Sequence, residues 1–226
     1  MILLVKAFIF DLDGVITDTA ELHYKAWKKL AKEIGVSFDR TCNEKLKGIN
    51  RLDSLEIILK CAGIQGVFSK EEKIALATKK NVYYKKLISK LTPKDVLPNM
   101  HTLLEEIRTE GYKIGLASAS ENAPTIIKAL GIEHFFQAIA DPKEVIHGKP
   151  APDIFLLAAK QLKVITKDCI GIEDAISGVA AIKQANMFAV GIGDEHQLSK
   201  ADYIVHTTKE LTLSDLIMKW EKWQLS

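Results

Sequence analysis

Short apolar runs alternate with longer amphipathic stretches along most of this chain. Residues 5–10 (VKAFIF) are largely apolar, β-branched or aromatic in part, and stop at Asp11. Such a run predicts a buried parallel strand, because strands covered on both faces lack polar alternation. Runs of the same kind recur at residues 112–118 (YKIGLAS), 136–140 (FQAIA), 169–174 (CIGIED), 188–193 (FAVGIG) and 202–207 (DYIVHT). Helical spacing fills the gaps at residues 100–110, 123–130, 153–162 and 176–185. Gly111, Gly131 and Asn186 fall where helix C-caps belong. Strands alternating with helices predict right-handed crossovers and a doubly wound parallel sheet, a Rossmann-like α/β core.

Residues 17–91 break this rhythm. Leu22, Ala26, Leu30 and Ile34 recur on one helical face. The segments RLDSLEIILKCAG and EEKIALATKKNVYYKKLISKL continue with the same period, and no convincing strand interrupts them. The joins are GVIT on one side and LTPKDVLPN, stiffened by Pro93 and Pro98, on the other. The pattern predicts a helical cap, residues 17–91, inserted into an α/β core made of residues 1–16 and 92–226. The two joins would serve as a hinge. Internal repeats and low-complexity segments are not apparent.

Composition narrows the class. The chain has 226 residues, 47% of them hydrophobic, so a sizeable core is within reach. A net charge of +2 gives no basic excess for nucleic acid or for a membrane surface. The cysteines, Cys42, Cys61 and Cys169, are odd in number and form no CxxC pair. That disfavours a disulfide framework or a zinc site and suits a reducing cytoplasm. The apolar start MILLVKAFIF is interrupted by Lys6 and lacks a preceding basic region, so a signal peptide is the weaker reading. A cytoplasmic monomer acting on small molecules is expected.

The candidate chemistry lies at the strand ends, where open parallel sheets bind ligands. Asp11 ends the first strand, and Asp13 points the same way if the chain stays extended. One carboxylate of such a pair can attack as a nucleophile or hold Mg²⁺, while the other moves a proton. Ser118 and Ser120 end the second strand before a helix and offer hydroxyls to an anion. Lys149 precedes a helix started by Pro150 and Pro152, and its ammonium suits a phosphate. Glu173 and Asp174 end a further strand with hard oxygen ligands for Mg²⁺. Each feature has a plain structural alternative: an Asp-containing turn, a Ser or Glu helix cap, a solvated lysine. Their occurrence together at successive strand ends favours phosphoryl chemistry. The Gly191–Gly193 pair lacks the third glycine and the first-strand position of a dinucleotide site.

The strings DLDGVITDT, ASAS, KPAPDIF and IEDA resemble the four motifs of the haloacid dehalogenase-like phosphotransferases. With LKGINRLDSL, ASASENAP and IADPKEV added, the chain is similar over nearly its whole length, cap included, to the β-phosphoglucomutase family. The resemblance implies that Asp11 is the nucleophile that becomes an aspartyl phosphate. It implies that Asp13 is the general acid and base, with its main-chain carbonyl on Mg²⁺, and that Glu173 and Asp174 complete the metal ligands. Ser118, Ala119 and Lys149 would cradle the transferring phosphate. Ser120, Asn122 and Arg51 would hold the distal one. The loop from Gly48 through Ile49 to Arg51 would select the sugar. Thr19 and His23 would couple cap closure to Asp13, with Trp27, Lys47 and Lys80 nearby in the cap. His23 as a surface histidine and Trp27 as cap packing are the plain alternatives. Glu121 departs from the pattern, which places a lysine there in family members.

The activity so implied is Mg²⁺-dependent interconversion of β-glucose 1-phosphate and glucose 6-phosphate through β-glucose 1,6-bisphosphate. A sugar-phosphate phosphatase on the same scaffold is the alternative. A metabolite-binding protein on an inactive scaffold is disfavoured, because every chemical group is in place.

Overall fold

Residues 4–225 are described by a computed structural model; the first three residues of the apolar start lie outside them. Strand β1 (Ala7–Phe10) runs down the middle of the sheet, every residue buried. Its neighbours are β2 (Lys113–Leu116) and β4 (Cys169–Glu173), with β3 (Ala138–Ile139) outside β2. Beyond β4 lie β5 (Phe188–Ile192) and β6 (Tyr203–Val205). The order is β3-β2-β1-β4-β5-β6, with all pairs parallel. The chain works outward from β1 to β3, then returns to the other side of β1 at β4. That reversal opens a crevice at the carboxyl ends of β1, β2 and β4.

Alternation along β1 builds both faces of the core. Phe8 and Phe10 join Ile114, Leu116, Ile170 and Ile172 beneath α5 (Met100–Thr109), α6 (Ala123–Ala129) and α9 (Leu213–Gln224). Ala7 and Ile9 point the other way, under α7 (Asp153–Leu162) and α8 (Ile176–Gln184). Gly111, Gly131 and Asn186 take positive φ at the ends of α5, α6 and α8, as their positions predict. Lys163 ends α7 the same way without a sequence signal.

The inserted helices are α1 (Ala20–Glu33), α2 (Arg40–Glu44), α3 (Arg51–Cys61) and α4 (Lys70–Ile88). The short α2 was not evident from periodicity. Together they form a cap with its own cluster, centred on Trp27, Leu30, Ile58 and Leu59. The cap also reaches into the core, since Ala26, Tyr84 and Ile88 pack in the first sheet-face cluster. The segments entering and leaving it lie side by side: Leu97 N donates to Ile16 O at 2.9 Å, and Thr17 Oγ1 to Asp95 O at 2.7 Å. Among the described residues, no helix is long and apolar enough to cross a membrane.

Candidate active site

Sheet register brings the chemistry together. Ala117 N donates to Phe10 O at 2.8 Å, and Asp11 N donates to Ile172 O at 2.9 Å. Asp11, Ala117 and Glu173 therefore stand level at the carboxyl edge. Lys149 reaches in from the loop before α7, its side chain 0% exposed, and donates to Asp11 Oδ1 at 2.5 Å and Glu173 Oε2 at 2.9 Å. Burial alone pulls this ammonium's pKa down, but Asp11 and Glu173 outweigh it and hold the pKa raised. Glu173 is itself raised well above the carboxylate range, by burial first and Asp11 second, with Lys149 offsetting only part. Asp174 is pushed up to about 7 by burial, Asp11 and Asp13.

Carboxylate oxygens of Asp11, Glu173 and Asp174 lie within 4.8 Å of one another. Three clustered carboxylates, two of them paired with one ammonium, carry a surplus of negative charge when ionised. Hard oxygen donors with that surplus suit a divalent cation. Two glycines make room for the cluster. A Cβ on Gly178 would run into the Glu173 carboxyl group, and one on Gly14 (φ +79) would run into that of Asp174.

Asp13 sits apart from this cluster. Thr19 Oγ1 donates to its Oδ1, and Thr19 Oγ1 also lies 2.9 Å from the Tyr84 hydroxyl. Thr19 has one proton, given to Asp13, so the Tyr84 hydroxyl must donate to Thr19. Burial and Asp13 raise the Tyr84 pKa well above its ordinary value, which keeps that donor protonated. Asp13 is 31% exposed, but to a cavity roofed by the cap. Its pKa is raised to about 7 by burial and then Asp11, against Thr19, Lys80 and Lys149.

The cap contributes His23 and Lys80. Lys80 is 2% exposed, with Nζ 2.9 Å from His23 Nδ1 and 4.7 Å from the centre of the Trp27 ring. Burial, then Arg51, lowers Lys80 to about 7. Burial, Lys80 and Arg51 hold His23 well below its ordinary pKa, so its ring is neutral. The Lys80 ammonium can only donate, so opposite it Nδ1 accepts and the ring proton belongs on Nε2. Nε2 is buried without a hydrogen-bond partner among the described residues, and Asp13 Oδ2 at 3.8 Å is too far to be one. The ring faces a cavity of about 240 Å³ whose walls also carry Asp13, Lys47, Gly48, Ile49 and Arg51. A second cavity of about 420 Å³ shares Arg51, Lys80, Ala119 and Ser120 with the first.

A haloacid dehalogenase-like hydrolase family model matches residues 5–186. The chain belongs to this family. Within it, the chain is 51% identical over 220 residues to a β-phosphoglucomutase of Bacillus subtilis (strain 168), covering 97% of each chain. The crystal structure of a β-phosphoglucomutase from Clostridium difficile superposes with a TM-score of 0.97 at 46% identity, covering 99% of this chain and 100% of that one. A fructose-1-phosphate phosphatase of Escherichia coli (strain K12) is 31% identical over 186 residues, covering 81% of this chain and 94% of its own.

Against the motifs of the haloacid dehalogenase-like family, Asp11, Lys149, Glu173 and Asp174 meet as one cluster, and Asp13 faces the same cavity. Other predicted residues are turned to protein partners. Ser118 Oγ accepts from Ser120 N at 3.1 Å and is buried beneath the loop. Ser120 Oγ accepts from Asn122 N at 3.3 Å. Asn122 Nδ2 crosses to the cap and donates to Asn81 Oδ1 at 2.9 Å. Lys47 Nζ pairs with Glu44 at 2.7 Å, and this carboxylate leads the causes that raise its pKa. Trp27 both packs in the cap cluster and lines the cavity. Tyr84 and Asn81 escaped the sequence reading. Tyr84 is four residues beyond Lys80 on α4, so the helix period alone would have put the two on one face.

Proposed function

We propose that this chain is a β-phosphoglucomutase that interconverts β-glucose 1-phosphate and glucose 6-phosphate. The observation that carries the reading is the contrast between two aspartates two positions apart. Asp11 is held by the Lys149 ammonium, while Asp13 is held by a neutral hydroxyl and raised to about 7. The first suits a nucleophile beside a phosphate-binding cation, and the second a group that takes and gives protons near neutral pH.

The cycle begins with a phosphoryl group on a carboxylate oxygen of Asp11. The C6 hydroxyl of β-glucose 1-phosphate attacks the phosphorus, the bond to Asp11 breaks, and Asp13 takes the hydroxyl proton. The bisphosphate turns over. Asp11 then attacks the phosphoryl group on C1, Asp13 returns the proton to the departing C1 oxygen, and glucose 6-phosphate leaves. Lys149 neutralises charge on the phosphoryl oxygens throughout. The carboxylates of Asp11, Glu173 and Asp174, with the Asp13 main-chain carbonyl, would hold Mg²⁺, which when bound supplies further charge neutralisation at the same oxygens. Ser118 and Ala119 border the transferring phosphate in this reading. Ser120, Asn122 and Arg51 take the distal one, and Gly48 and Ile49 face the sugar. His23 lines the cavity with its ring, while Lys47, Lys80 and Trp27 complete the wall. Residues 17–91 act as the cap, turning on the paired joins so that closure excludes water.

A coupled assay tests the reading. β-Glucose 1-phosphate, primed with traces of the bisphosphate, should yield glucose 6-phosphate with little free phosphate. Phosphate release from many sugar phosphates, with no isomer formed, would assign a phosphatase instead.

A further inference from the structure

Arg51 is the cap's cation for the distal phosphate, and the structure gives it an anionic partner from the core. Glu121, between β2 and α6, places Oε2 3.4 Å from Arg51 Nη2. The same oxygen lies 3.4 Å from Lys143 Nζ, in the helical turn after β3. Arg51 opens α3 in the cap, whereas Glu121 and Lys143 belong to the core. The ion pair therefore crosses the seam between them, near the Asn122–Asn81 hydrogen bond. Glu121 lines the 420 Å³ cavity together with Arg51, Ser120 and Asn122. A phosphate gathered by those three residues meets a carboxylate of like charge beside it. The carboxylate has to release Arg51 first, and Lys143, 67% exposed and already in reach, can keep it paired.

We propose that Glu121 is a positioning residue that competes with the substrate's distal phosphate for Arg51, clasping the cap to the core until that phosphate displaces it onto Lys143. This rests on the mutase reading above and on Arg51 as the distal-phosphate ligand. Two opposite consequences follow for a protein lacking the carboxylate. Sugar phosphates bind more tightly, because nothing competes for Arg51. The aspartyl phosphate reacts faster with water, because the cap is held less firmly over Asp11.

The test compares the full-length parent with Glu121→Gln, Glu121→Asp and Lys143→Met, all with Mg²⁺. KM and kcat are measured for β-glucose 1-phosphate. In a second measurement Asp11 is primed with the bisphosphate, free sugar phosphates are removed by gel filtration, and inorganic phosphate release is followed. An exposed ion pair shifts an equilibrium about two- to fivefold. Glu121→Gln should lower KM roughly threefold with kcat changed less than about twofold, and speed phosphate release roughly threefold. Glu121→Asp should stay near the parent in both. Lys143→Met should raise KM, because the displaced carboxylate loses its second partner. Glu121→Gln with KM unchanged or raised overturns the proposal, as does a lowered KM with unchanged phosphate release. Failure of the mutase reading looks different: the parent itself then makes no glucose 6-phosphate.

Discussion

Asp11 and Asp13 stand two positions apart and differ because their neighbours differ. Asp11 answers to a buried ammonium, and Asp13 to the Tyr84–Thr19 hydroxyl chain. The pair was legible in the sequence because both residues lie within three positions of the end of one apolar strand. The hydroxyl chain was not, since Thr19 and Tyr84 lie 65 positions apart. Thr19 lowers the Asp13 pKa, so Thr19→Val should raise it above about 7. Less Asp13 is then ionised to take a proton, and the acid limb of kcat/KM should move to higher pH. Activity at pH 6.5 should fall roughly threefold or more, with a smaller loss at pH 8, as a pH–rate profile would record. Gly178 offers a test of packing: Gly178→Ala forces a methyl group onto the Glu173 carboxyl. Denaturant titration should show a loss of about 1–3 kcal/mol.

Helix α4 shows what periodicity can and cannot say. Ser69 accepts from Glu72 N while the Glu72 side chain accepts from Ser69 N, so the start of the helix is written in four consecutive residues. The inward stripe is Ala77, Lys80, Tyr84 and Ile88. Its spacing is helical, but a lysine stands in it, and a lysine on a helix is ordinarily solvated. Lys79 fits that expectation, pairing with Glu33 at 2.9 Å. Lys80 contradicts it, because a helix turns adjacent residues about 100° apart and Trp27, Tyr84 and His23 surround the inward one. Its pKa falls from 10.5 in the unfolded chain to about 7 in the fold. Charged Lys80 thus costs stability below about pH 7, and the cost fades as pH rises towards 10.5. Lys80→Met should be more stable than the parent at pH 6.5 by about 1–3 kcal/mol, with the gap narrowing by pH 10. Urea melts at the two pH values check the sign, and turnover should fall while stability rises.

The architecture concentrates unlike demands at one edge. Two sheet-face clusters and a cap cluster fix the frame, and into it the fold packs Asp11, Glu173 and Asp174 together, with one ammonium paired to the first two. A bound divalent cation relieves their repulsion and so favours the folded state. Mg²⁺ at about a hundredfold excess over its Kd should add about 2.7 kcal/mol, seen as a raised Tm that chelation reverses. Asp174→Asn should blunt that rise. An unchanged Tm in the parent would remove the metal from the proposed mechanism.

Several features were legible because their causes are local. The strands, the helix ends at Gly111, Gly131 and Asn186, the three longer inserted helices, and the carboxylates and serines at strand ends all follow from residues close in sequence. What packing settled is non-local. Sequence order does not say that β4 returns beside β1, yet that return brings Glu173 and Asp174 to Asp11. Nor does it say that Asn122 and Glu121 reach across to Asn81 and Arg51. Those contacts exist because the folded cap and core each present a finished face to the other, and neither face can be read from residues near in the chain.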